Sequence, residues 1–236
     1  MIAWKLLWEN PICHPAVMIR RDVLQQSGIN YDRQCVVEDY DLWTRLLFHT
    51  QFGHIPRVLI QYRQSAAGMT GTRDLRQVEA TSRIQQRTLS TLLGRSLDAR
   101  VGYSTALLSQ QTAARPAAEQ ILDARSLVLV GREVYAAFVE RFAVTNADAA
   151  HIRADLARRF LDWGFVLSGL PSRSHDATGG LMRAALTLDP RAFVSRRAAR
   201  NLFTGFLGKR RVTERSDTKA RLVAESGADP SMGEQD

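Results

Sequence analysis

Only two of the 236 residues are cysteine, Cys13 and Cys35. Two isolated thiols are too few for a disulfide framework or a zinc site, so buried, reduced thiols are expected. Long apolar runs are missing as well: nothing approaches the roughly 18 uninterrupted apolar residues of a membrane-spanning helix. The opening MIAWKLLWENPICHP has no basic leader, no long apolar stretch and no small-residue cleavage site, which argues against a secretory signal. A cytoplasmic location is therefore expected. There is no internal repeat, and low complexity is confined to the polar end.

Hydrophobic residues make up 45% of the chain, enough for a packed core. Charge is uneven. Between Arg183 and Arg221 eleven Lys or Arg stand against three acids, an excess equal to the whole net charge of +8, so the remainder of the chain is neutral. SRRAARNLFTGFLGKRR mixes these arginines with Leu202, Phe203, Phe206 and Leu207, a composition suited to lying peripherally on an anionic membrane surface. An ordinary solvated helix packed on the domain is the competing reading. Nucleic acid is disfavoured as a partner, because no DNA- or RNA-reading motif accompanies the charge.

Periodicity divides the chain near residue 72. Upstream, AVMIRR (16–21) reads as a short strand, and RDVLQQSG as a helix capped by Asp22 and stopped by Gly28. From Asp39, the residues Leu42, Trp43, Leu46 and Leu47 recur at helical spacing, and GHIPRVLIQYR (53–63) alternates as a strand through Val58, Ile60 and Tyr62. Downstream the texture is helical: one helix from about Arg73 to Gly94, another from Pro116 toward Phe142, and a third capped by Asn146 that buries Ile152, Leu156, Phe160 and Trp163. GLPSRSHDATGG (169–180) is rich in loop formers and reads as a linker; two short helices split by Pro190 follow, and the last residues have the composition of a disordered tail.

The chemistry-bearing stretch is QCVVEDYDLWTRLL (34–47), where Glu38, Asp39 and Asp41 directly precede the helical stripe. Three roles fit these carboxylates. They can cap the helix, meeting orphan N–H groups and the positive end of its dipole, which suits Asp41 best. DYD (39–41) also has the spacing of a D-x-D metal site for Mg2+ or Mn2+, but alternate residues on a helix point in different directions and do not converge on one ion. The third role is half of an active site.

NPICHPAVMIRRDVLQQSGINYD, VVEDYDLWTRLL and HIPRVLIQYRQSAAGMT, in that order, resemble the second half of the catalytic domain of family 2 (GT-A type) glycosyltransferases over residues 10 to about 70. The resemblance implies an α/β fold, part of a GT-A domain with a short mixed sheet over residues 1–72. A mainly α-helical region would follow: a helical extension over 73–168, the linker 169–180, a basic helical segment 181–222 and the tail 223–236. It assigns Asp39 as the general base that deprotonates an acceptor hydroxyl, Glu38, Trp43 and Arg45 as acceptor-binding residues, and Arg63 of the YR ending as a phosphate or donor contact. The implied partners are a nucleotide-sugar donor and a glycan or lipid-linked acceptor.

Trp43 also suits a core anchor and Arg45 an ion pair within the acid cluster. The family carries a histidine soon after the YR, where this chain has Gln64 and Ser65; His14 and His54 do not replace it, His14 reading as a structural histidine. The family's divalent cation, Mg or Mn, would take its ligands from a donor-binding half that is not found before Asn10. The expectation is an acceptor half without its donor half. A non-catalytic module that binds a glycan or a partner protein is the alternative.

Overall fold

The computed structural model describes residues 1–61, 75–110, 121–168 and 175–194. The chain begins with a short helix, α1 (Ile2–Leu6). Trp4 and Leu6, with Leu7 and Trp8 just beyond, are completely buried. Five residues, with only Trp4 and Leu6 buried among them, are too few to show a helical period, which is why the sequence pattern does not announce this helix. The indoles meet later helices edge-to-face: Trp4 packs on Phe138 and Trp8 on Trp163, with centroids 5.3 and 5.7 Å apart.

A short 3-10 turn, His14–Ala16, leads to α2 (Arg21–Ser27), which stops at Gly28 in the left-handed region, φ 66°. Asp22 does not cap α2 as expected: Arg20 holds that position with no side-chain cap, and Asp22, in the first turn, accepts from the Val23 amide and from the Arg20 guanidinium. Next comes α3 (Glu38–Leu46), whose stripe of Leu42, Trp43 and Leu46 is buried as the spacing predicts. Among the described residues from 75 onward the regular elements are all helical: α4 (Leu75–Leu93), α5 (Ala99–Gln110), α6 (Ala124–Arg141), α7 (Asn146–Ser168), α8 (His175–Leu188) and a 3-10 turn, Pro190–Val194.

The expected α/β fold is corrected: among the described residues there is no strand. The 16–21 stretch is split between the 3-10 turn, an irregular link and the start of α2, and residues 53–61 carry no regular structure. Met18 is 99% and Val58 91% exposed. Alternation makes a strand only where a neighbouring strand supplies the ladder and a second layer covers the apolar face. Here Val17 and Ile19 pack part-buried on a helical interior, with no neighbouring strand among the described residues to supply the ladder. An all-helical arrangement of these residues does not fit a GT-A domain.

The downstream helices follow the sequence more closely, except that α6 begins after Asp123 rather than near Pro116. Gly94 ends α4 at φ 65°, and Ile152, Leu156, Phe160 and Trp163 of α7 are buried. Thr145 caps α7, accepting from the Asp148 amide and donating to its carboxylate, one residue earlier than the Asn146 expected. Asp123 caps α6 by accepting from the Ser126 amide at 2.9 Å and the Ser126 hydroxyl at 2.7 Å; this N–H holds its carboxyl below the usual range. α8 begins inside the 169–180 stretch and runs through Gly179 and Gly180. Gly102 of α5 sits directly on α4: a Cβ there would collide with the Ser82 carbonyl oxygen and lie 2.8 Å from Gln86 Cβ. Cys13 is exposed and Cys35 half-buried, both as free thiols.

One continuous apolar cluster joins Trp4 and Trp8, the α3 stripe and the faces of α4 to α8. The acid-rich N-terminal part is thereby bolted to the helical part. Trp4 Nε1 donates to Asp155 Oδ2 of α7 at 2.9 Å, and Arg159 of α7 reaches both Asp155 and Glu9. Tyr40 of α3 is buried and donates its hydroxyl to the Leu6 carbonyl at 2.8 Å; burial pushes its phenol far above the ordinary value. Among the described residues no helix is long and apolar enough to cross a membrane.

Candidate functional site

The three carboxylates of the acid cluster have different fates. Asp41 points into the protein and is buried. Its Oδ2 accepts from Nε and Nη2 of Arg45, one turn along α3, and its Oδ1 accepts from Nη1 of Arg87 on α4 at 2.7 Å. Arg87 also donates to the Thr44 hydroxyl at 3.1 Å, and Arg45 to the Asn30 carbonyl at 2.6 Å. A buried carboxylate that binds two guanidinium groups from two helices fastens α3 to α4. Asp41 therefore does not cap α3. Val37 holds that position, with no side-chain cap.

Asp39 lies half-buried at the other side of the helix start. Its Oδ2 accepts from the Asn10 side-chain amide at 2.8 Å and its Oδ1 from the Tyr40 amide at 2.7 Å. Among the described residues no cation pairs with Asp39 or Glu38. The two carboxylates of DYD are thus held by different partners, as the helical geometry requires.

Two further side chains join this edge from outside α3. The His14 ring nitrogen Nε2 and the Tyr31 hydroxyl are 2.9 Å apart, and His14 stands edge-on to Trp43 with centroids 6.1 Å apart. Burial raises the Tyr31 phenol, and the nearby Asp39 and Glu38 charges add to the effect. The result is an edge where Asn10, His14, Tyr31, Glu38 and Asp39 gather, contributed by three separate stretches of chain. Their functional groups are an amide, an imidazole, a phenol and two carboxylates, a set that hydrogen-bonds hydroxyl groups in both directions.

The expected site residues divide accordingly. Asp39 and Glu38 stand on the edge. Trp43 is 2% exposed and belongs to the core, backing His14 rather than opening toward a ligand. Arg45 is committed to Asp41 and Asn30. Arg63 lies outside the described residues, as do Gln64, Ser65 and all of the basic stretch beyond Val194. Among the described residues, no three His, Cys, Asp or Glu side chains are gathered to hold a metal ion.

Sequence reasoning missed Asn10 and Tyr31, and set His14 aside as structural. The NPICH and INYD segments flank α2, and only the folded chain reveals that they meet at the start of α3.

No protein-family model, no curated protein and no solved structure matches the chain. Together with the absence of strands among the described residues, this overturns the assignment to the GT-A glycosyltransferases made from motif order.

Proposed function

We propose that the edge built from Asn10, His14, Tyr31, Glu38 and Asp39 binds a hydroxyl-rich ligand of the glycan class. In this reading Asp39 accepts the proton of a bound hydroxyl as that oxygen attacks a sugar carbon, the acceptor-side step of sugar transfer from a nucleotide-sugar donor. The observation that carries the reading is the contrast between neighbours. Asp41 is buried and spent on two arginines, whereas Asp39 is half-buried, held by neutral amides and accompanied by a phenol and an imidazole.

The chemistry follows from lone pairs. A carboxylate offers about four acceptor positions, and two on Asp39 are filled by Asn10 and the Tyr40 amide, which fix its aim. The remaining pair takes a hydroxyl proton. General-base assistance of this kind is worth about 100- to 10,000-fold in rate. Asn10 and Tyr31 would hold the neighbouring hydroxyls of the same sugar, so that a vicinal pair is recognised rather than a lone alcohol.

A binding module without catalysis is favoured by a separate observation: both Asp39 oxygens already accept a hydrogen bond in the resting protein. Calorimetry separates the two readings. Heat on adding a nucleotide sugar with Mn2+, together with heat on adding a glycan, supports the transfer role. Heat with the glycan alone supports the module. Asp39→Asn weakens glycan binding in either case; unchanged binding in that variant removes both.

A further inference from the structure

His14 and Tyr31 form a pair whose hydrogen bond can run in either direction, because an imidazole nitrogen and a phenol oxygen each donate or accept. We propose that protonation of His14 reverses this bond and so decides whether the Tyr31 hydroxyl meets a ligand as acceptor or as donor; the ligand clause rests on the acceptor-edge reading above. With His14 neutral and its proton on Nδ1, Nε2 takes the only proton of Tyr31. A phenol is the better donor and an unprotonated imidazole nitrogen the better acceptor, so this arrangement is the stronger of the two. The phenol oxygen then presents only lone pairs outward. With His14 protonated, Nε2 must donate, and the Tyr31 proton is released to another acceptor.

The surroundings supply such acceptors. Asp39 and Glu38 of α3 are the charged groups whose fields act on the Tyr31 phenol. His14 also meets Trp43, which is neutral and buried. A freed Tyr31 proton can therefore turn toward the side of the edge that carries the carboxylates, where a ligand oxygen would lie. The 2.9 Å contact also ties the 3-10 turn to the segment before α3, so the change is confined to a proton and needs no movement of the backbone.

The test uses the full chain labelled with 15N in histidine and 13C at the tyrosine ring, titrated from about pH 5 to pH 8, the span in which histidines change charge. The expected result is a neutral His14 protonated on Nδ1, and a Tyr31 Cζ resonance that inflects at the His14 midpoint. That inflection disappears in His14→Gln. Affinity for methyl β-glucopyranoside changes severalfold across the same midpoint in the native chain, and stays flat in His14→Gln and in Tyr31→Phe. A neutral His14 protonated on Nε2, or a Tyr31 inflection that persists in His14→Gln, overturns the proposal. A coupled titration without glycoside binding at any pH supports the bond reversal and overturns the acceptor-edge reading instead.

Discussion

Trp4 Nε1 donates to Asp155 Oδ2 at 2.9 Å, a bond that spans 151 residues of sequence and closes the start of the chain onto α7. The indole is completely buried, and the same carboxylate oxygen takes Nε of Arg159 at 2.8 Å. Trp4→Ala removes the ring from between Trp8 and Phe138. Its expected cost is about 3 to 5 kcal/mol, the range for deleting a buried large aromatic. Trp4→Phe keeps most of the packing and loses the hydrogen bond, for about 1 kcal/mol. Urea denaturation of both variants checks the difference.

Asp155 also sets an acid limit on stability. Burial alone would raise its carboxyl, but Arg159 beside it, the Trp4 N–H and Arg158 hold it below the ordinary value of 3.8. A carboxyl depressed in the folded state contributes stability that is fully present above its unfolded pKa and disappears as pH falls through the lower, folded value. Stability should therefore decline below about pH 4. Asp155→Asn should flatten that decline, as followed by thermal melts across the acid range.

Asp41 and Asp39 are two residues apart and should behave oppositely in a stability measurement. Asp41→Asn leaves the Arg45 and Arg87 guanidinium groups without their shared counter-charge. Its cost should be about 3 kcal/mol, the low end for a broken buried pair because Arg87 is partly solvated. Asp39→Asn keeps an acceptor oxygen for Asn10 or the Tyr40 amide and should stay within about 0.5 kcal/mol of the native chain. Equal losses for the two variants would mean that the acid cluster is structural throughout.

Gly102 tests the α4–α5 packing. A Cβ at this position would meet backbone of α4, which cannot turn aside as a flexible side chain can. Gly102→Ala should cost about 1 to 3 kcal/mol by overpacking, despite the better helix propensity of alanine. Gly94→Ala, with open space around it but φ 65°, should destabilise through backbone strain alone, by about 1 kcal/mol. Chemical denaturation of both variants distinguishes collision from strain.

The helices from residue 75 onward were legible wherever one face alone is buried. The Ile152, Leu156, Phe160, Trp163 series of α7 and the Gly94 stop of α4 follow directly from spacing and from the need for φ above zero. α5 was not legible, because Ser104, Thr105 and Ala106 are as buried as its leucines and leave little contrast around the helix. α1 escaped because its five residues are too few to show a period. The strand expected at 16–21 was read from a short apolar run and that at 53–63 from alternation, local signals of a structure that requires a partner segment. At the candidate site, Glu38 and Asp39 were legible as carboxylates at a helix start, whereas the roles of Trp43 and Arg45 depended on which way α3 faces. Asn10, His14 and Tyr31 reach Asp39 only through the turn and loop geometry around α2.

The most direct test of the account is an amide chemical-shift titration of the full chain with methyl β-glucopyranoside. The account predicts that the shifted resonances converge on Asn10, His14, Tyr31, Glu38 and Asp39 and that Asp39→Asn loses them while remaining folded. Shifts that gather on another surface, or that survive unchanged in Asp39→Asn, would contradict it.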